Sequence, residues 1–90
     1  MSSTYHVKIS SKAIKQLQKL EFRAQTAIVN WLEDNLEGCT NPREKGSSLT
    51  QHKSAAWRYR VGNYRLLANI IDAEVRVEVV KIGHRRNVYR

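Results

Sequence analysis

Cysteine occurs once in this chain of 90 residues, at Cys39, so no internal disulfide can form. His6, His52 and His84 are scattered without metal-ligand spacing, and neither a metal nor another cofactor is expected. Long apolar runs are missing, as is a signal-like start, which argues against a spanning helix and for a cytoplasmic protein. Acidic residues are few: 8 Asp+Glu stand against 16 Lys+Arg, a formal charge of +8. That imbalance repels itself in the compact state and attracts polyanions. Nucleic acid is the polyanion expected, because neutralising its phosphates releases counterions. Hydrophobic residues nevertheless make up 41% of the chain, enough for a globular core rather than a disordered segment. The length allows one domain, residues 1–90, with no repeat and no low-complexity stretch.

Tyr5, Val7 and Ile9 alternate with polar residues and read as a strand. Ser10 and Ser11 offer a helix N-cap, and Ile14, Leu17 and Leu20 then recur at helical spacing with Lys12, Lys15 and Lys19 outside. A second helix is expected from about Glu21 to Glu37, striped by Ala24, Ala27, Ile28, Trp31, Leu32 and Leu36 and ended by Gly38. Gly38 to Ala56 is irregular, with turn signals at Asn41-Pro42 and Gly46-Ser47-Ser48, and Leu49 is the residue expected to pin it to the core. So long a loop in a small domain points to function.

From Trp57 onward the pattern is that of strands. Gly62-Asn63 is a two-residue hairpin turn, so Val61 faces Tyr64, Tyr59 faces Leu66 and Trp57 faces Ala68, all on the helix-covered side. Arg60 then faces Arg65, and Arg58 faces Leu67, on the opposite side. A second two-residue turn at Asp72-Ala73 continues the register, with Val75, Val77 and Val79 on the core side and Val80 beside Arg65. The fold class is α+β: two N-terminal helices on one face of a mainly antiparallel four-stranded sheet.

Like charges opposed across strands destabilise a sheet by roughly 0.2–1 kcal/mol. One arginine on an exposed strand needs no explanation beyond solvation. Three converging at Arg58, Arg60 and Arg65 point to an anion site, because guanidinium groups grip phosphate bidentately and stay charged. The tail from Lys81 to Arg90 leaves the last strand close to Arg65; Gly83 lets the backbone turn, so Arg85 and Tyr89 are candidates to fold over the same face, against the plain alternative of a frayed basic terminus.

Asn41-Pro42-Arg43-Glu44, Gly46, Leu49, the run Trp57-Arg58-Tyr59-Arg60-Val61-Gly62-Asn63-Tyr64-Arg65 and the run Gly83-His84-Arg85-Arg86-Asn87-Val88-Tyr89 together resemble RelE-type toxins of the RelE/ParE toxin–antitoxin superfamily. The resemblance spans nearly the whole chain and is specific in its C-terminal half. It implies a compact RelE-like fold similar to microbial ribonucleases. It also implies a toxin of a type II toxin–antitoxin system, a metal-independent mRNA interferase that cuts messenger RNA in the ribosomal A site. A RelB-like antitoxin is implied as the inhibitor, with any operator DNA bound only by the toxin–antitoxin complex. Matched one by one, the family's cleavage residues fall on Arg58, Arg60, Arg65, Arg85 and Tyr89. The two positions before the hairpin are lysines in the best-known member and arginines here, and an arginine cannot serve as a base. The segment between Arg85 and Tyr89 is two residues shorter than in that member.

The chemistry so implied is attack of a 2′-hydroxyl on the adjacent phosphate, with the arginines stabilising the charge that develops. Tyr89 is the expected base, since clustered cations favour a phenolate. His84 competes for that role, because imidazole exchanges protons near neutral pH. Trp57, Tyr64 and Trp31 are expected in the core rather than stacked on bases. Two rivals remain at this point: a non-nucleolytic ParE-like toxin that binds DNA gyrase, and a plain basic RNA-binding module.

Overall fold

Strand β1 (His6–Ile9) opens the fold in the computed structural model, which describes residues 4–50 and 55–84. Ser10, in extended backbone, caps α1 (Ser11–Gln18): its Oγ accepts the Ala13 N–H at 3.1 Å, satisfying one of the free donors of the first turn. Ala13 and Leu17, one turn apart, are the residues α1 buries. Ile14, expected in that stripe, is 42% exposed instead. A small residue at position 13 brings the helix close to the sheet, and Gln16 Oε1 reaches the Ile82 N–H of the last strand at 2.8 Å. The short helix is thereby rotated away from Ile14.

Helix α2 (Phe22–Asn35) buries Ala24, Ile28 and Leu32, with Leu36 buried just beyond as its C-cap; Ala27 lies outside the stripe. Gly38, at φ +79°, turns the chain out of the helix and donates its N–H to the Tyr5 carbonyl at 2.8 Å. These faces close over Tyr59, Leu66, Ala68, Val77, Val79 and Ile82, which are buried on one side of the sheet. Trp31, Trp57 and Tyr64 pack against that core, as their register requires.

Among the described residues the sheet has five strands rather than four, ordered β1–β5–β4–β3–β2, where β2 is Ser47–Ser48, β3 Trp57–Val61, β4 Tyr64–Ile71 and β5 Arg76–His84. The extra strand is two residues of the irregular segment paired antiparallel with β3, too short for any periodicity to reveal. β1 pairs in parallel with β5, and the remaining neighbours are antiparallel. The β3–β4 register is the one the Gly62-Asn63 turn dictates, pair for pair.

The β4–β5 register differs from the expectation. Asp72–Glu74 forms a 3-10 turn and Val75 adopts φ +50°, so the connection takes four residues and Ile71 faces Arg76. Asp72 explains the larger turn: its carboxylate holds the Arg43 guanidinium through two 2.9 Å bonds and accepts the Tyr5 hydroxyl at 2.7 Å. Val75 therefore leaves the core side, while Val77 and Val79 keep it. A bulge between Leu67 and Ala68 then displaces the pairing by one, so that Arg65 faces Gly83 rather than Val80.

Residues 38–50 are tied down rather than loose. Asn41 Oδ1 accepts the Arg43 N–H at 3.1 Å, the buried Pro42 offers its carbonyl to Tyr59 Oη at 2.6 Å, and the Lys45 carbonyl accepts Trp57 Nε1 at 2.8 Å. Gly46, at φ +82°, lies so close to the Arg58 carbonyl that a Cβ would collide with it. Leu49 packs against Ala55, Leu67 and Val80 in a small second cluster on the side of the sheet away from the helices.

Candidate functional site

The site is built from strand alternation and one bulge. On the side of the sheet away from the helices, Arg60 and Arg65 form a cross-strand pair, and the next pair is Arg58 with Leu67. Across β4, Arg65 faces Gly83 and Leu67 faces Lys81. Arg58, Arg60 and Arg65 therefore share one face, as expected, and Lys81 joins them. Unbroken alternation from the buried Val79 would send Lys81 to the core side; the bulge transfers it. A bulge of this kind leaves no signal in the sequence, which is why Lys81 was not among the expected site residues.

The surroundings decide what these cations are for. Arg60 is exposed, while Arg58, Arg65 and Lys81 are half-buried. Arg58 Nη2 donates to Ser47 Oγ at 2.8 Å, so strand β2 fixes one guanidinium from the side. Ion pairs among the described residues join Arg43 to Asp72, Arg76 to Glu74 and Glu78, and His6 to Glu37; none involves Arg60 or Arg65. Arg65 Nε and Nη1 are buried with no hydrogen-bond partner. Leaving a buried charged donor unpaired costs more than the roughly 1–3 kcal/mol of a neutral one, so such a pair of N–H groups calls for an acceptor from outside. Beside them the buried Leu67 and Ala55, backed by Leu49 and Val80, exclude water, which strengthens any charge interaction at that edge.

His84 sits apart from this cluster. It pairs with Tyr64, whose ring it meets edge-on at a centroid separation of 5.8 Å, on the side where Val61 and Ile82 face the helices. The arginines and His84 are thus on opposite faces. Arg85 and Tyr89, together with His52, lie outside the described residues. No group of three or more His, Cys, Asp or Glu side chains capable of holding a metal ion is found among the described residues.

Known proteins resemble the chain along nearly its full length. The family described as ParE toxin of type II toxin-antitoxin system, parDE, matches residues 7–89. Toxin RelE of Mycobacterium tuberculosis is 33% identical over 86 residues, covering 96% of this chain and 87% of that one. Toxin RelG of the same organism is 30% identical over 86 residues, covering 96% and 97%. Among solved structures, the toxin–antitoxin complex RelBE2 of M. tuberculosis superposes with a TM-score of 0.81 at 28% identity, covering 97% of this chain and 98% of that one.

Proposed function

The chain belongs to the RelE/ParE family of type II toxin–antitoxin toxins, and we propose that within it the chain is a ribosome-dependent endoribonuclease that cuts messenger RNA in the A site. The observation that carries this reading is the pair of buried, unpartnered N–H groups of Arg65, set on one face with Arg58 and Arg60. A bent phosphodiester supplies the acceptors they lack. RNA brings its own nucleophile, so attack of the 2′-oxygen on phosphorus leaves a 2′,3′-cyclic phosphate and a free 5′-hydroxyl without a metal.

Arg65 and Arg85 hold the scissile phosphate, and Arg58 and Arg60 the neighbouring phosphate and leaving-group side. Their fixed charge acts most strongly on the phosphorane, whose oxygens carry more negative charge than the ground state. Tyr89 takes the 2′-hydroxyl proton; the placement of His84 beside Tyr64 on the other face favours the tyrosine for that role. With no His/Glu acid–base pair among the described residues of the cluster, catalysis rests on positioning by the ribosome and on electrostatics, and free RNA is cut slowly. The toxin acts in the cytoplasm and is silenced by a RelB-like antitoxin, the two together being the form that contacts operator DNA.

Expression followed by mapping of messenger RNA 5′ ends tests the reading. Codon-positioned ends support it. A DNA-damage response without new ends selects instead the ParE-like, gyrase-directed reading, and the absence of both outcomes leaves a basic RNA-binding module. Arg65→Ala should cost about 3–4 kcal/mol of transition-state stabilisation, roughly 10²–10³-fold in rate, and restore growth while antitoxin binding persists. Undiminished toxicity of that variant refutes the assignment.

A further inference from the structure

With Tyr89 as the base, the arginines around the phosphate leave the departing oxygen without a proton donor. A guanidinium holds its proton throughout, so Arg58, Arg60 and Arg65 stabilise charge but transfer nothing. The bulge between Leu67 and Ala68 brings one residue of different chemistry to the same face: Lys81, directly across from Leu67 and diagonal to Arg65. Directly opposed residues have Cβ atoms about 4.5–5.5 Å apart and diagonal ones about 7–8 Å. The four-carbon stem of a lysine spans that diagonal readily. Gly83, the residue facing Arg65, carries no side chain to stand between the two cations.

We propose that Lys81 is the general acid of the cleavage reaction, delivering the proton that the 5′-oxygen needs as it leaves. This inference rests on the nuclease reading above. The step balances: the O2′–P bond forms as the O2′ proton passes to the base, the P–O5′ bond breaks, and a proton moves from Lys81 Nζ to O5′. The products are a 2′,3′-cyclic phosphate and a 5′-hydroxyl, and the neutral amine recovers its proton from water. An ammonium is also the right species for the task, being charged beside a phosphate and able to lose a proton when an alkoxide appears next to it. Its neighbour Leu67 keeps that side of the group dry.

The test compares two linkages in the full-length toxin on programmed ribosomes under single-turnover conditions. One messenger carries an ordinary phosphodiester at a cleavage position already mapped for the wild type. The other carries a 5′-bridging phosphorothiolate there, whose sulfur leaves without protonation. Lys81→Ala should cut the oxygen linkage about 10²–10⁴-fold more slowly and the sulfur linkage at close to the wild-type rate. Lys81→Arg keeps the positive charge but not the transferable proton. It should match Lys81→Ala on the oxygen linkage and also cut sulfur normally, with KM little changed, so the inference stays testable if the alanine variant folds poorly. Equal losses on both linkages would mean that Lys81 acts only through charge or packing, and unimpaired cutting of the oxygen linkage would mean that it does nothing; either overturns the proposal. A wild-type toxin that cuts neither linkage overturns the nuclease reading itself, and is told apart by that.

Discussion

Tyr59 is the residue through which the irregular segment, the core and the arginine-bearing strand are joined. It is fully buried, and its hydroxyl donates to the Pro42 carbonyl at 2.6 Å. Tyr59→Phe keeps the ring, including its 5.4 Å packing with Trp31, and leaves the carbonyl without its donor. A buried acceptor so orphaned costs about 1–3 kcal/mol, and in a domain of this size each kcal/mol lowers Tm by about 4–8 °C. The pH dependence makes the prediction sharper. Burial pushes the Tyr59 phenol well above its ordinary value of 10.0. The folded protein therefore keeps this proton while the unfolded chain loses it, and stability that is fully present below pH 10 is lost as pH rises further, at about 1.4 kcal/mol per pH unit. By pH 11.5 that loss is about 2 kcal/mol, comparable to the cost of deleting the hydroxyl. The phenylalanine variant has no such loss from this position. Urea unfolding followed by circular dichroism from pH 7.5 to 11.5 should show the variant less stable at neutral pH and the two proteins converging near pH 11.5. Parallel alkaline curves, or a variant as stable as wild type at pH 7.5, would refute the burial and the bond together.

Leu67→Ala removes the buried centre of the small cluster beneath the arginines; it should cost about 2–5 kcal/mol by thermal melting and slow RNA cleavage beyond what unfolding accounts for, because the water-excluding edge beside Arg65 goes with it. Glu37 is held below its ordinary carboxylate value chiefly by the Val7 N–H and then by His6, so its contribution is present above pH 4.5 and lost as pH falls below that. Glu37→Gln retains an acceptor for Val7 but cannot titrate, and its urea midpoint should fall less steeply than wild type between pH 5 and 3.

The parts of the molecule that sequence made legible are those governed by local geometry. A two-residue turn at Gly62-Asn63 admits one register, so the cross-strand partners of Arg58 and Arg60 followed from counting. The Ser10 cap and the Gly38 exit were equally local. What escaped was set by contacts distant in the chain. The turn after β4 takes four residues because Asp72 is engaged by Arg43 and Tyr5, 29 and 67 positions away. Leu49 does pin its segment, but to the far face of the sheet, where it meets Leu67 and Val80. Ile14 lost its place to Ala13 because closeness to β5, which helical spacing does not encode, chose the smaller residue.

The same reasoning explains why the far face is chemically divided. Toward the hairpin it is lined with cations, and further along β4 it is covered by the second apolar cluster; the boundary runs through Leu67, with Arg65 two residues to one side. Cations spread over a fully hydrated sheet would bind polyanions by long-range attraction that salt screens within about 10 Å. Cations against an apolar edge interact more strongly with a phosphate and, where buried N–H groups lack acceptors as Arg65 Nε and Nη1 do, remain under-satisfied until one arrives. The bulge is what brings the proposed proton donor into that setting, since with Val80 in unbroken alternation Lys81 would point toward the helices and the face would lack its general acid. Deleting Val80, the extra residue of the bulge, restores plain alternation with Lys81 still opposite Leu67. That variant is therefore expected to keep Lys81 on this face with Arg58, Arg60 and Arg65 and to retain cleavage, and loss of cleavage in a folded variant would refute the placement.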